Sequence, residues 1–141
     1  MATLAQKLAL RPAQRICLLD ATPASAMLIR EVAPDGCDFT PGLGDAPYDL
    51  IFCWPTALSG LAEQLAMLQR RIVPDGAIWV VVPKKPVARR RGITLTWEQM
   101  QAAALTTDLV DNKIASLSDE EYATRFVLRR ERRAGTGAST V

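Results

Sequence analysis

The sequence predicts an α/β domain with three layers, in which helices cover both faces of a mostly parallel sheet. Two apolar runs, at 49–54 and 77–82, have the composition of strands that are buried on both faces. Between them, leucines at 58–72 recur with the three- and four-residue spacing of an amphipathic helix. Strand, helix and strand in this order form one βαβ unit. Two alternating segments, 109–117 and 122–130, predict an antiparallel hairpin at the end of the chain.

The segments before this unit complete the predicted sheet. They are a short helix at 4–10, a strand at 14–20, a helix at 24–32 with Met27 facing inward, and a weak strand at 37–40. The first helix begins with a capping box, because Thr3 and Gln6 have the spacing at which each side chain meets the other's backbone N–H. The glycine- and proline-rich loop 41–47 leaves no room for a helix before the next strand.

The segments after the leucine-rich helix are predicted as a turn, a loop and one more helix. Residues 73–76 predict a tight turn in which Gly76 supplies a positive φ. Residues 83–92 combine two prolines with five basic residues, which favours a mobile loop. Thr96 and Gln99 form a second capping box, for a helix at 97–105. We expect one domain over residues 1–133 and a disordered tail over residues 134–141.

The composition excludes several kinds of active site. The chain contains no histidine, which rules out a histidine general base, a Ser-His or Cys-His pair and a histidine-ligated zinc site. Its three cysteines form no Cys-x-x-Cys pair and indicate reduced thiols of a cytoplasmic protein, with no metal site. Cys53 has no neighbouring base and is not expected to be a nucleophile. No apolar stretch would span a bilayer, and no signal peptide is recognised, so we expect no membrane association.

One part of the chain resembles a known enzyme family. Residues 49–52, the leucine-rich helix and residues 73–80 look like the second half of a class I methyltransferase domain. The final helix and hairpin resemble the last elements of that family, so the resemblance covers about residues 14–130. It implies a Rossmann-like sheet and S-adenosylmethionine as the cofactor.

The motif that would hold this cofactor departs from the family pattern. Family members follow the first strand with an acidic residue and a glycine-rich loop. The matching stretch here, 19–26, reads Leu-Asp-Ala-Thr-Pro-Ala-Ser-Ala and has no glycine, and Pro23 lacks a backbone donor. An acid at the end of the second strand, the following helix and a third strand are also missing.

A second resemblance spans nearly the whole chain. Residues 4–8 (Leu-Ala-Gln-Lys-Leu), Arg15-Ile16, Trp79-Val80 and 83–85 (Pro-Lys-Lys) are similar to a family of small bacterial proteins of unknown function. The glycine loop is likewise absent in that family. This resemblance implies a reduced methyltransferase-like domain and carries no activity.

The candidate binding residues lie where the predicted strands end, because ligands of open parallel sheets bind beyond the carboxyl ends of the strands. The six candidates are Asp20, Thr22, Trp54, Thr56, Lys84 and Lys85. Two ammonium groups suit a phosphate or carboxylate, and an indole suits an aromatic ring. Each group also has a structural interpretation: the lysines as a solvated loop paired with Asp20, Asp20 as a turn former, and Trp54 as core.

Three functional hypotheses follow. The first is a non-catalytic module that needs no cofactor and binds a small anionic or nucleotide-like ligand at the strand ends. The second is an S-adenosylmethionine-dependent methyltransferase with a degenerate cofactor loop. The third is a basic adaptor for protein or nucleic acid, which would use the arginines at 89–91 and 129–133. Nucleic acid is the less favoured partner, because the acids at 119–121 offset the second cluster and Tyr122 and Phe126 are expected in the core.

Overall fold

The computed structural model describes residues 2–45 and 47–133, and one six-stranded sheet lies at its centre. The strands are β1 (Arg15–Leu19), β2 (Asp38–Thr40), β3 (Tyr48–Cys53), β4 (Ile72–Pro83), β5 (Leu109–Ser116) and β6 (Glu121–Leu128). Their spatial order is β2-β1-β3-β4-β6-β5. The first four are parallel, and β6 runs antiparallel to both β4 and β5. The predicted mostly parallel sheet with a final antiparallel hairpin is confirmed.

The helices cover both faces of this sheet. They are α1 (Leu4–Lys7), α2 (Pro23–Val32), α3 (Leu61–Leu68), α4 (Lys85–Arg91), α5 (Trp97–Leu105) and α6 (Arg130–Arg133), and a 3₁₀ turn at Gln69–Arg71 follows α3. Both predicted capping boxes are present, at Thr3 with Gln6 and at Thr96 with Gln99. The predicted disordered tail at 134–141 lies outside the described residues.

Successive residues of the central strands point to opposite faces and so build two cores. Leu50 and Phe52 of β3 face the side covered by α1 and α2, where the rings of Phe52 and Trp79 stack with centroids 6.0 Å apart. Ile51 and Cys53 face the other side, which α3 and α5 cover. Residues 50–53 of β3 and 77–82 of β4 are therefore buried on both faces of the sheet, as the unbroken apolar runs predicted.

The ends of β1, β3 and β4 lie on the same side of the sheet. Leu19 of β1 pairs with Cys53 of β3, and Cys53 pairs with Val80 of β4. β4 continues to Pro83, where it pairs with Glu121, the first residue of β6. The antiparallel β6 therefore begins at the edge where the parallel strands end, and we call this the carboxyl edge.

The prediction of a loop at 83–92 is wrong, because residues Lys85–Arg91 of this segment form α4. Pro86 lies in the first turn of this helix, where a missing N–H breaks no intrahelical hydrogen bond. Gly92 ends the helix in the left-handed conformation, with φ of 70°. Pro86 therefore marks the beginning of a helix, whereas Pro83 is the last residue of β4.

The prediction of a tight turn at 73–76 is also wrong, because these residues belong to β4. The described glycines with positive φ are Gly36, Gly60 and Gly92, so Gly76 has a different role. A Cβ atom at Gly76 would lie 2.9 Å from the carbonyl oxygen of Asp49 and 3.0 Å from that of Val73. The position requires glycine because two backbone segments approach each other closely.

Three smaller predictions on the helices are corrected. Neither Thr56 nor Ser59 caps α3, which begins after Gly60 in the left-handed conformation. Leu58 lies before this helix and is exposed, although the spacing placed it inward. Met27 of α2 is 62% exposed, because the buried residues of that helix are Ser25 and Ile29.

The close approach at Gly76 leads to a stability prediction. We expect Gly76→Ala to lower the free energy of unfolding by about 1–3 kcal/mol, because the new methyl group meets backbone oxygens that cannot turn away. Gly42→Ala is the matched control, since a Cβ there meets no atom within 4 Å. Urea denaturation followed by circular dichroism measures both, and equal stabilities of the two variants would contradict the steric explanation.

Candidate functional site

A buried carboxylate at the carboxyl edge gathers donors from three other elements. Glu121 is 1% exposed. Its Oε1 accepts hydrogen bonds from the Ser25 hydroxyl at 2.5 Å and from the Trp54 indole N–H at 3.2 Å. Its Oε2 accepts from the Arg91 guanidinium at 2.9 Å and from the Thr22 hydroxyl at 3.4 Å. We call these five residues the Glu121 cluster.

The cluster is electrically balanced by Arg91. This guanidinium also donates to the Glu120 carboxylate at 2.8 Å. The hydrogen bond to Glu121, together with the charge of both carboxylates, raises the pKa of Arg91, so the guanidinium stays charged. The sequence analysis assigned the acids at 119–121 to the second arginine cluster, but two of them pair with α4. The antiparallel pairing of β6 with β4 explains this, because it brings Glu120 and Glu121 next to the end of β4.

The six predicted site residues lie at the carboxyl edge, and five of them are divided among three separate cavities. Asp20, Trp54 and Thr56 line one cavity of about 410 Å³, which we call the Asp20 cavity. Thr22 belongs to the Glu121 cluster and borders a second cavity of about 690 Å³. Lys85 lines a third, of about 660 Å³, which we call the α4 cavity.

Trp54, Asp20 and Lys84 each have a structural role. For Lys84, the partner differs from the one that the sequence analysis considered. Trp54 is buried, and its ring stacks on Phe52 with centroids 6.3 Å apart. Asp20 has φ of 60° and turns the chain out of β1. Lys84 was considered as a partner of Asp20, but its ammonium group donates to the Ser116 hydroxyl at 3.0 Å.

The α4 cavity lies between α4, the loop that follows it, the beginning of α5 and the hairpin. Its apolar lining includes Ile93, Leu95, Trp97 and Tyr122, and its charged lining is Lys85, Arg89 and Glu98. The sequence analysis placed Tyr122 in the core, but its side chain is 40% exposed at the turn end of the hairpin, where it pairs with Ser116. Trp97 and Arg89 were not proposed as neighbours, since the segment between them was read as a mobile loop.

The cysteines offer no chemistry at this edge. Burial raises the pKa of Cys53 to about 12 and also raises the pKa of Cys17, so both are thiols at neutral pH. Within residues 2–45 and 47–133, no group of three or more Cys, Asp or Glu side chains is placed to hold a metal ion. No helix in the described part of the chain is long and apolar enough to cross a membrane.

Comparison with known proteins identifies the fold. No family model matches the chain, and no curated protein is significantly similar to it in sequence. Among solved structures, it is similar to a TehB-like SAM-dependent methyltransferase from Corynebacterium glutamicum, with a TM-score of 0.59 and 12% identity over 89% of this chain and 87% of that one. It is also similar to the N-methyltransferase NodS from Bradyrhizobium japonicum in complex with S-adenosyl-L-homocysteine, with a TM-score of 0.57 and 11% identity over 90% of this chain and 84% of that one. The chain therefore has a reduced class I methyltransferase-like fold.

The residues at the carboxyl edge do not fit S-adenosylmethionine in the way the fold family implies. The β1–α2 connection has no glycine, and the hydroxyl groups of Thr22 and Ser25 donate hydrogen bonds to Glu121. The indole N–H of Trp54 donates a hydrogen bond to the same carboxylate. β2 ends at Thr40 and is followed by Pro41, so no acid stands at its end to bind ribose hydroxyls.

The Glu121 cluster leads to a second stability prediction. We expect Arg91→Ala to lower the free energy of unfolding by about 3 kcal/mol, because it leaves a buried carboxylate without its cation. Arg90→Ala is the control on the same helix: Arg90 is 65% exposed and lies 3.9 Å from Glu120, and its loss should cost less than about 1 kcal/mol.

The double variant Arg91→Ala/Glu121→Gln separates the charge from the packing. We expect it to be more stable than Arg91→Ala alone, because the neutral amide needs no cation. Urea denaturation of all variants measures the differences. Equal losses for Arg91→Ala and Arg90→Ala would show that the buried pair contributes nothing.

Proposed function

We propose that this chain is a non-catalytic module of methyltransferase-like fold that binds a small anionic or nucleotide-like ligand at the carboxyl edge of its sheet. The observation that carries the proposal is the Glu121 cluster. Its carboxylate accepts hydrogen bonds from the side chains of Thr22, Ser25 and Trp54, which follow β1 and β3. Because these donors are already engaged, a ligand would bind in the cavities beside the cluster. Open sheets of this kind bind ligands at this edge.

The charges at the edge favour an anion over a cationic cofactor. Lys85 and Arg89 line the α4 cavity, whose lining is mostly apolar. Arg91, in contrast, is already neutralised by Glu120 and Glu121. S-adenosylmethionine carries a sulfonium and an ammonium group, for which the Asp20 carboxylate is the matching charge in the Asp20 cavity. The ribose contacts and the glycine loop that would accompany it are missing.

The test is a pair of titrations with purified protein. We expect no calorimetric heat from S-adenosylmethionine at concentrations up to about 1 mM, which would detect any affinity tighter than that. We expect AMP to shift the backbone amide signals at one or more of the carboxyl-edge cavities, for which Thr22, Thr56 and Lys85 are the reporters. The signals of Arg15 and Tyr48, at the opposite ends of their strands, are the internal control and should not move.

Two outcomes would contradict the proposal. Micromolar binding of S-adenosylmethionine, lost in Asp20→Ala, would favour the methyltransferase hypothesis. Titration with AMP that moves no amide signal at the carboxyl edge would show that this edge does not bind nucleotide-like anions.

A further inference from the structure

We propose that the α4 cavity is a binding site for an amphipathic aromatic anion. The ligand class is a small molecule with one phosphate, sulfonate or carboxylate group and a flat apolar body. This inference rests on the proposed function, and it names which cavity at the carboxyl edge is used and which chemistry it selects.

The dimensions of the α4 cavity suit such a molecule. Its volume of about 660 Å³ lies within the range of about 300–1,000 Å³ that is usual for small-molecule sites. Most of its lining is apolar, with Val82, Leu95, Trp97 and Ile114 among the residues that form it. Ile114 and Tyr122 remain exposed, which leaves apolar surface that a ligand would cover.

Two aromatic walls of the cavity are held in place before any ligand binds. The indole N–H of Trp97 donates to the hydroxyl of Thr124 at 2.7 Å, so this side chain offers its ring and not its donor. The ammonium group of Lys84 lies 5.0 Å from the centroid of the Tyr122 ring. Lys84 also donates a hydrogen bond to the hydroxyl of Ser116 in β5. The ammonium group is therefore held against the Tyr122 ring, and this contact keeps the ring in place. Walls that are ordered in advance reduce the entropy that binding costs.

The charges of the cavity select an anion. Lys85 and Arg89 are four residues apart on α4, where two like charges on one helix face repel each other. Within the described part of the chain neither forms an ion pair, whereas Arg90 and Arg91 of the same helix pair with Glu120. Glu98 also lines the cavity, so the lining carries two positive charges and one negative charge. One anionic group on the ligand removes the repulsion and neutralises the remaining positive charge.

The other two cavities do not offer this combination. The lining of the Asp20 cavity has a carboxylate and polar groups, and among the described residues it contains no lysine or arginine. The cavity beside Thr22 contains Arg91, but this guanidinium is bound to Glu120 and Glu121, and Asp119 lines the same space. The α4 cavity is therefore the place where an anionic group and a large apolar body are both accommodated.

The experiment compares two probes that share an apolar body and differ in charge. Anilinonaphthalenesulfonate carries a sulfonate, and N-phenylnaphthylamine has a closely similar aromatic body without a charge. We expect the anion to bind with one-to-one stoichiometry and to shift the amide signals of Gly92, Ile93 and Thr94, which line the α4 cavity, but not that of Gly60 in the Asp20 cavity.

Charge variants then test the selectivity. We expect Lys85→Ala and Arg89→Ala each to weaken binding of the anion about tenfold, the effect of one charge-assisted contact, and to leave the neutral probe unaffected. Arg90→Ala is the matched control, because Arg90 lies on the same helix and does not line the cavity. Thermal unfolding verifies that each variant is folded before titration.

The outcomes separate this inference from the proposed function. If anilinonaphthalenesulfonate shifts Gly60 and not Gly92, or binds Lys85→Ala and Arg89→Ala as tightly as Arg90→Ala, the α4 site is refuted, while AMP shifts elsewhere at the carboxyl edge would still support the proposed function. If neither AMP nor the sulfonate moves any signal at that edge, both proposals fail.

Discussion

The buried carboxylate of Glu121 is the constraint on which the carboxyl edge of this protein depends. Removing a carboxylate from water costs several kcal/mol unless a cation and hydrogen-bond donors replace the water. The replacement comes from α2, the end of β3 and α4, through Ser25, Trp54 and Arg91. These elements are far apart in the chain and are tied to the first residue of β6. Their positions at the edge are therefore fixed together.

The Glu121 cluster lies at the end of a sheet with methyltransferase-like topology. The sheet retains the parallel strands and the antiparallel hairpin, and β2 is its edge strand because the unit that would follow is missing. Fold alone does not define activity, which depends on the groups at the site. Here the hydroxyl groups after β1 and the indole after β3 are directed at the protein's own carboxylate. These donors are therefore engaged within the protein, and the cavities lie beside them.

Much of the fold follows from local patterns in the sequence, whereas the site does not. Apolar runs identified β3 and β4, and capping boxes located α1 and α5, because these signals are contained within a few residues. Glu121 follows two other acids in an apparent turn, so its sequence neighbourhood indicates a solvated residue. Its partners lie 30, 67 and 96 residues away, at Arg91, Trp54 and Ser25. Only the pairing of β6 with β4 brings them together.

The helix α4 contributes residues both to the Glu121 cluster and to the α4 cavity. Residues four apart lie on the same helix face, whereas residues two apart are rotated by about 200°. Lys85 and Arg89 therefore share one face, which borders the α4 cavity, and Arg91 lies on another, where it binds Glu121. One short helix thus neutralises the buried carboxylate and presents to an apolar opening two cations that form no ion pair within residues 2–45 and 47–133. Any ligand held by Lys85 and Arg89 would contact the same rigid element that anchors Glu121, so binding and the stability of the cluster are expected to be coupled.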